Sequence, residues 1–271
     1  MKDILTNPII KEFGKHCSNM YRLGWHERNG GNMSYLLFED DIKDYLDLNH
    51  VIREIPTGFV CDDLIGKYFL ITGTGKYFKN VEEDPETNLG IIRIKDDATT
   101  AELLWGFKDG GKFTSETPAH LLSHATRLRI NPKNRVITHC HPANIMAMTF
   151  TEELTDKNFS RIIWKFNNEC IVVIPDGVGV LPWMMTGSNE IGEATAEKMK
   201  EFRIVVWANH GIYACGETLD ESFGLIETVE KTAQVFEIVG DKKVLNPITD
   251  ENLWKLVKRF NLNCREEFLE K

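Results

Sequence analysis

Arg135-Val-Ile-Thr-His139-Cys140-His141-Pro142 is the stretch from which the fold is read. An apolar, β-branched run ending in His-x-His has the composition of a buried strand that emerges at a sheet edge. Residues two apart on a strand project from one face, so His139 and His141 point into a common space and Cys140 points away. Two convergent imidazoles suit a borderline-soft divalent ion such as zinc, and a catalytic zinc site takes three protein ligands and keeps one position open. Arg203-Ile-Val-Val-Trp-Ala-Asn-His210-Gly211 repeats the pattern, an apolar run that stops on a histidine before a glycine able to turn sharply. If both strands end at the same edge of one sheet, His210 completes the site. A lone histidine at a strand end is more often a surface or hydrogen-bonding residue, so spacing alone does not make this a metal site.

Upstream, Asn7-Pro8 and the helically spaced Ile9, Ile10, Phe13, Cys17 and Met20 predict a helix to about residue 24. Asn29-Gly-Gly-Asn32 breaks it, and 33–38 reads as a strand. Residues 39–66 are acidic and poorly periodic and are expected to form an insertion or long loop. Tyr68–Thr72, Leu89–Ile94 and 102–107 are strand candidates, and Thr114-Ser-Glu-Thr-Pro118 carries a helix-start signature. Downstream, helices are expected from about Pro142, over Asp156–Phe166, over 188–202, from the capping box Thr218-Leu-Asp-Glu221 to about 239, and over 249–260. Cys170-Ile-Val-Val-Ile174 reads as a buried strand. No repeat, linker or low-complexity tract divides the chain, so a single α/β domain over 1–271 is expected.

The 271 residues are 42% hydrophobic and 27% charged, ordinary for a globular protein with a core of its own. A formal charge of −9 with no basic stripe argues against nucleic acid as the main partner, and leaves room for a small anionic ligand held by local donors. The six cysteines (Cys17, Cys61, Cys140, Cys170, Cys215 and Cys264) show no CxxC pair, which fits reduced thiols in the cytoplasm better than a disulfide framework. The first residues lack the apolar core of a signal peptide, and no apolar run approaches the ~20 residues that span a bilayer, so no membrane partner is expected.

Asn29-Gly30-Gly31-Asn32, Thr74-Gly75 and Thr114-Ser115 at a helix N-terminus combine side-chain donors with backbone N–H groups left bare by glycine, the composition of an anion site. None matches GxxxxGK[ST] or GxGxxG, so no nucleotide motif stands behind them, and each alone could be an ordinary turn. Glu116 sits just before a helix, where a carboxylate can serve as a cap or as a catalytic group. Glu169 stands at the entrance to the expected buried strand, and Asp176 in Pro-Asp-Gly is most simply a turn residue.

Taken in order, Asn29-Gly-Gly-Asn32, Thr72-Gly-Thr-Gly75, Thr114-Ser-Glu116 with Pro118-Ala-His120, His139-Cys-His141 and His210-Gly211 resemble the class II aldolase/adducin superfamily. Gly24-Trp25, Asn88-Leu-Gly-Ile91, Leu104-Trp-Gly106, Pro175-Asp-Gly-Val-Gly179, Leu181-Pro-Trp183 and Phe223-Gly-Leu-Ile226 extend the resemblance over nearly the whole chain. It implies a central, largely antiparallel sheet flanked by helices, one Zn2+ per subunit and a cytoplasmic homotetramer. It also implies reversible cleavage of L-rhamnulose 1-phosphate to dihydroxyacetone phosphate and L-lactaldehyde, through a metal-stabilised enediolate. By the same resemblance His139, His141 and His210 are the metal ligands and Glu116 the catalytic carboxylate. Asn29, Gly31, Asn32, Thr74, Gly75, Thr114 and Ser115 fall on the phosphate turns, and Glu169 matches a second glutamate near a neighbouring subunit's site. Thr74 stands where serine is frequent, and no tyrosine follows Tyr213, so a C-terminal tyrosine acid used by some relatives has no counterpart. The alternatives are another sugar-phosphate aldolase or 4-epimerase of the superfamily, or a non-catalytic adducin-like interaction module, against which the three histidines and Glu116 argue.

Overall fold

In the computed structural model, which describes residues 1–270, nine strands build one sheet. They are β1 (Asn32–Leu37), β2 (Arg53–Pro56), β3 (Tyr68–Thr72), β4 (Leu89–Ile94), β5 (Thr100–Gly106), β6 (Val136–Cys140), β7 (Gly179–Leu181), β8 (Ile204–Trp207) and β9 (Gly211–Gly216). Their spatial order is β2-β5-β4-β3-β1-β6-β9-β8-β7, and every pairing is antiparallel except β7 with β8. The helices are α1 (Pro8–Arg22), α2 (Glu39–Ile42), α3 (Pro85–Asn88), α4 (Thr117–Ile130), α5 (Ala143–Thr151), α6 (Asp156–Phe166), α7 (Asn168–Val173), α8 (Asn189–Lys198), α9 (Leu219–Val239) and α10 (Asp250–Phe260).

Alternation along the central strands sends apolar side chains to both faces. Met33, Tyr35, Val136 and Ala214 face a core shared with Phe13 of α1, Ile145 of α5, Ile163 of α6 and Ile226 of α9. On the other face Leu36, Phe69 and Ile71 pack with Leu121 of α4, and Ile137, Val205 and Trp207 pack with Ala119 of α4 and Ile191 of α8. The sheet is therefore covered on both sides, a three-layer arrangement.

Residues 39–66 are not one long loop: α2 and the edge strand β2 lie within them, β2 pairing with β5 from Arg53 opposite Leu103 to Pro56 opposite Thr100. The expected strand over 170–174 is instead the helix α7. The Asn167 side chain accepts from Glu169 N at 3.1 Å and caps it, and the Cys170 thiol meets Thr232 of α9 at 3.0 Å. A short apolar run buried on several sides has the same composition whether strand or helix, and its β-branched residues favoured the wrong one. Glu169 accordingly lies in the first turn of a helix, not at a strand entrance.

The run ending at His210 is also divided. β8 stops at Trp207, and a turn closed by His210 N donating to Trp207 O at 3.1 Å leads into β9, which inserts between β6 and β8. Because β6 and β8 both run antiparallel to β9, their C-terminal ends lie at one edge of the sheet. That is the condition the three-histidine reading required.

Candidate metal centre and active site

Strand register sets out the site. Asn32 pairs with His139 across β1 and β6, and His139 pairs with Tyr213 across β6 and β9, so these three side chains share the sheet face that α4 covers. His139 is fully buried and stacks on Tyr213 with ring centroids 4.2 Å apart. His141, just past the strand end, is pinned by its N–H donating to Trp25 O at 2.8 Å. His210 leaves the turn after Asn209, whose φ of 61° is one that asparagine tolerates and whose N–H donates to Thr149 Oγ1 at 2.9 Å.

Two glycines permit the close approach. A Cβ on Gly31, which has a φ of 74°, would fall 2.1 Å from the His26 ring and 2.7 Å from His139 O. A Cβ on Gly211 would fall 2.4 Å from Cys140 O and 2.8 Å from the His141 ring. Any side chain at either place pushes a histidine out of register.

The result is three imidazoles with one ligand atom each, all within 4.8 Å of one another. His139 Nε2 lies 3.2 Å from His141 Nε2 and 3.4 Å from His210 Nε2. His139 Nδ1–H donates to Ile212 O at 3.1 Å, and His141 Nδ1–H donates to the Glu27 carboxylate at 2.8 Å. With their protons on Nδ1, both rings turn bare Nε2 lone pairs toward each other, which is unfavourable unless a cation lies between them. Burial pushes His139 well below the ordinary histidine range and His210 down to about 4, with repulsion from His141 adding to both, so both rings are neutral near pH 7. The donor set thus fits a divalent metal, with the Nδ1 partners fixing the tautomers as metal-bound histidines require.

Glu116 stands over this cluster. It occupies the N-cap position of α4 yet its side chain makes no cap bond, so the cap role open to it in the sequence is not the one it plays. Its Oε2 accepts from Asn32 Nδ2 at 2.8 Å and from Tyr213 Oη at 3.0 Å. Its oxygens lie 3.3 Å from His139 Nε2 and 3.7 Å from His210 Nε2. Burial raises its carboxyl above the usual carboxylate range, against the pull of those two hydrogen bonds.

A cleft of ≈ 290 Å³ opens above the carboxylate. Asn29, Gly31, Asn32, Thr74, Gly75, Thr114, Ser115, Glu116, His141 and His210 all line it, with His139 behind its floor. Two of the three turns are tied together, since Thr114 N donates to Thr72 O and Thr74 N to Lys112 O, and Ser115 lies just before the N-terminus of α4. Among the described residues no lysine or arginine lines the cleft, so an anion there is met by hydroxyls, amides and a helix dipole. Glu169 is exposed and is not among the cleft residues of this chain.

Several contributors carried no assigned role in the sequence. Trp183, Met184 and Thr186, on the segment between β7 and α8, form the rim, and Asn209 joins them. Tyr213 and Glu27 hold Glu116 and His141. A signal existed for Tyr213 only once β9 is recognised, because it then falls opposite His139.

The family model described as "Class II Aldolase and Adducin N-terminal domain" matches residues 11–236. A rhamnulose-1-phosphate aldolase of Listeria monocytogenes serotype 4a is 54% identical over 269 residues, 99% of this chain and 98% of that one. Another from Enterococcus faecalis is 49% identical over 99% of this chain and 96% of its own length. Among solved structures, a sugar-phosphate aldolase from Thermotoga maritima superposes with a TM-score of 0.74 at 30% identity, covering 85% of this chain and 94% of that one.

Proposed function

The chain belongs to the class II aldolase and adducin family, and from that premise we propose that it cleaves L-rhamnulose 1-phosphate reversibly to dihydroxyacetone phosphate and L-lactaldehyde, as a lyase of rhamnose metabolism. The observation that carries this reading is the meeting of three imidazole nitrogens with the Glu116 carboxylate at the floor of a cleft rimmed by glycine and hydroxyl turns. We further propose one Zn2+ per subunit on His139, His141 and His210, which is supported by three imidazole nitrogens within 4.8 Å of one another.

When bound, the ion supplies Lewis-acid stabilisation of the negative charge that gathers on the substrate oxygens during cleavage. The turns of Asn29–Asn32, Thr74-Gly75 and Thr114-Ser115 bind the phosphate and fix the sugar chain over the floor of the cleft, so that remote binding energy orients the C3–C4 bond. The C4 hydroxyl gives its proton to solvent water as that bond breaks, and a proton has to be returned at C3 of the dihydroxyacetone phosphate half. Glu116 is placed to give it, and in the synthetic direction to remove it. Asn32 and Tyr213 hold the carboxylate in position by donating to one of its oxygens.

We place Glu169 in a neighbouring subunit's site within a homotetramer, a role supported by its exposure and by the family resemblance. Six free cysteines, five of them buried, support a reducing compartment, the cytoplasm. No helix among the described residues is long and apolar enough to cross a membrane. A single catalytic domain over 1–271 is supported by the one sheet that draws strands from residue 32 to residue 216.

Incubation with L-rhamnulose 1-phosphate, with dihydroxyacetone phosphate read by a coupled reductase, tests the function. Release is expected to stop after chelation and to return with Zn2+; no release from metal-loaded protein, or release unaffected by metal removal, contradicts it. Glu27→Ala is expected to weaken metal binding by about 10–100-fold, the scale for losing the carboxylate behind a ligand histidine. Competition with a chromophoric chelator measures this, and unchanged affinity would mean that water orients His141 as well as Glu27 does.

A further inference from the structure

Behind Glu116 a line of buried polar side chains runs on from Asn32 through three residues that the chemistry above does not use. Asn32 is 6% exposed, and Ser34, His120 and His124 are fully buried. Asn32 donates to Glu116 at 2.8 Å and its Oδ1 meets His120 Nε2. His120 Nδ1 is 2.7 Å from Ser34 Oγ, which is 2.8 Å from His124 Nε2. The spacings match: two histidines four apart on α4 rise about 6 Å, and two residues two apart on β1 rise about 6.8 Å.

Both ends fix the direction of these bonds. A carboxylate oxygen only accepts, so the Asn32 amide turns its NH2 to Glu116 and its carbonyl oxygen to His120, which must then carry its proton on Nε2. His120 Nδ1 is left as a lone pair and takes the Ser34 hydroxyl proton, and the Ser34 oxygen accepts from His124 Nε2–H. At the far end His124 Nδ1 is buried without a partner, on a ring whose centroid is 5.0 Å from that of Phe69. Reversing the line would leave an N–H there, and orphaned buried N–H groups are rarer than orphaned acceptors.

We propose that Asn32, His120, Ser34 and His124 form a one-directional relay of hydrogen bonds whose donors all point toward Glu116, with His120 as the positioning residue that locks the Asn32 amide. The relay rests on the proposed function only for what Glu116 does. Without the His120 donor, the Asn32 amide is free to rotate and to present its oxygen to the carboxylate, which would repel it.

The amide nitrogen of glutamine falls where histidine Nε2 does, and that of asparagine where Nδ1 does. His120→Gln therefore keeps the donor to Asn32 and His120→Asn removes it. In the full-length, metal-loaded enzyme both variants are expected to hold metal at native stoichiometry with KM within about threefold of native. The kcat for L-rhamnulose 1-phosphate should fall about tenfold or more in His120→Asn and less than about threefold in His120→Gln, the scale of one buried hydrogen bond. Equal losses in the two variants, no loss in either, or loss of metal from His120→Asn overturn the relay. If the native enzyme does not cleave this sugar phosphate, the proposed function fails instead, and 15N NMR of histidine-labelled native protein decides the relay. Protonated Nε2 with bare Nδ1 at both His120 and His124 supports it, and a protonated Nδ1 at either overturns it.

Discussion

Replacing His139 with alanine is expected to remove the metal and nearly all lyase activity together. Its Nε2 is the middle one of the three, 3.2 Å from that of His141 and 3.4 Å from that of His210, so its loss leaves two donors that no longer enclose a position. A zinc site with two protein ligands holds its ion weakly, and the open positions then belong to solvent. The substitution also empties a fully buried space against Tyr213 and Trp207, so a melting curve has to accompany the metal analysis. His210→Ala is expected to lose metal in the same way with a smaller effect on folding, because His210 lies in a turn and is only partly buried. Native metal content, or near-native turnover, in folded His139→Ala protein would contradict the ligand assignment.

Glu116→Gln separates metal binding from proton transfer. Glutamine can keep its carbonyl oxygen where Oε2 accepts from Asn32 and Tyr213, so the floor of the cleft stays in place while the group can no longer give or take a proton. Metal content and KM are expected to stay near native, and kcat to fall by at least about a hundredfold, the usual scale for a positioned acid or base. Near-native turnover in Glu116→Gln would remove this residue from the reaction, leaving its buried, raised carboxyl without a catalytic use.

How far the sequence discloses the site follows from the range of each signal. His139 and His141 are legible because a strand alternates with a period of two, and both project to one side with Cys140 buried behind. His210 was legible as the end of an apolar run, but the intervening β9 was not, since Trp207-Ala-Asn-His210-Gly211 hides a tight turn inside a continuous apolar pattern. With β9 unread, Tyr213 could not be placed opposite His139. The helix α7 was misread because a run of cysteine, isoleucine and valine carries no period when it is buried on several sides. Glu27 and Trp183 reach the site through long-range contacts, Glu27 to His141 across 114 positions, and no local pattern encodes a contact of that span. The acidic 39–66 segment was opaque for the opposite reason, as a short edge strand needs few apolar residues.

The turns proposed to hold phosphate show the same division. Each of Asn29-Gly-Gly-Asn32, Thr74-Gly75 and Thr114-Ser115 is alone an ordinary turn, and only the sheet order, which sets β1 between β3 and β6, brings all three to one cleft. Asn32 is a further case, for its side-chain amide is engaged by Glu116 and His120. That amide is therefore already bonded within the protein, which its place in an anion-type turn did not indicate.

Anomalous diffraction at the zinc absorption edge, from crystals of protein purified without added chelator, tests the central assignment most directly. The expected map has one peak per chain, about 2.0–2.1 Å from Nε2 of each of His139, His141 and His210. An active enzyme whose anomalous peak lies elsewhere, with those three nitrogens bonded to no metal, would contradict it.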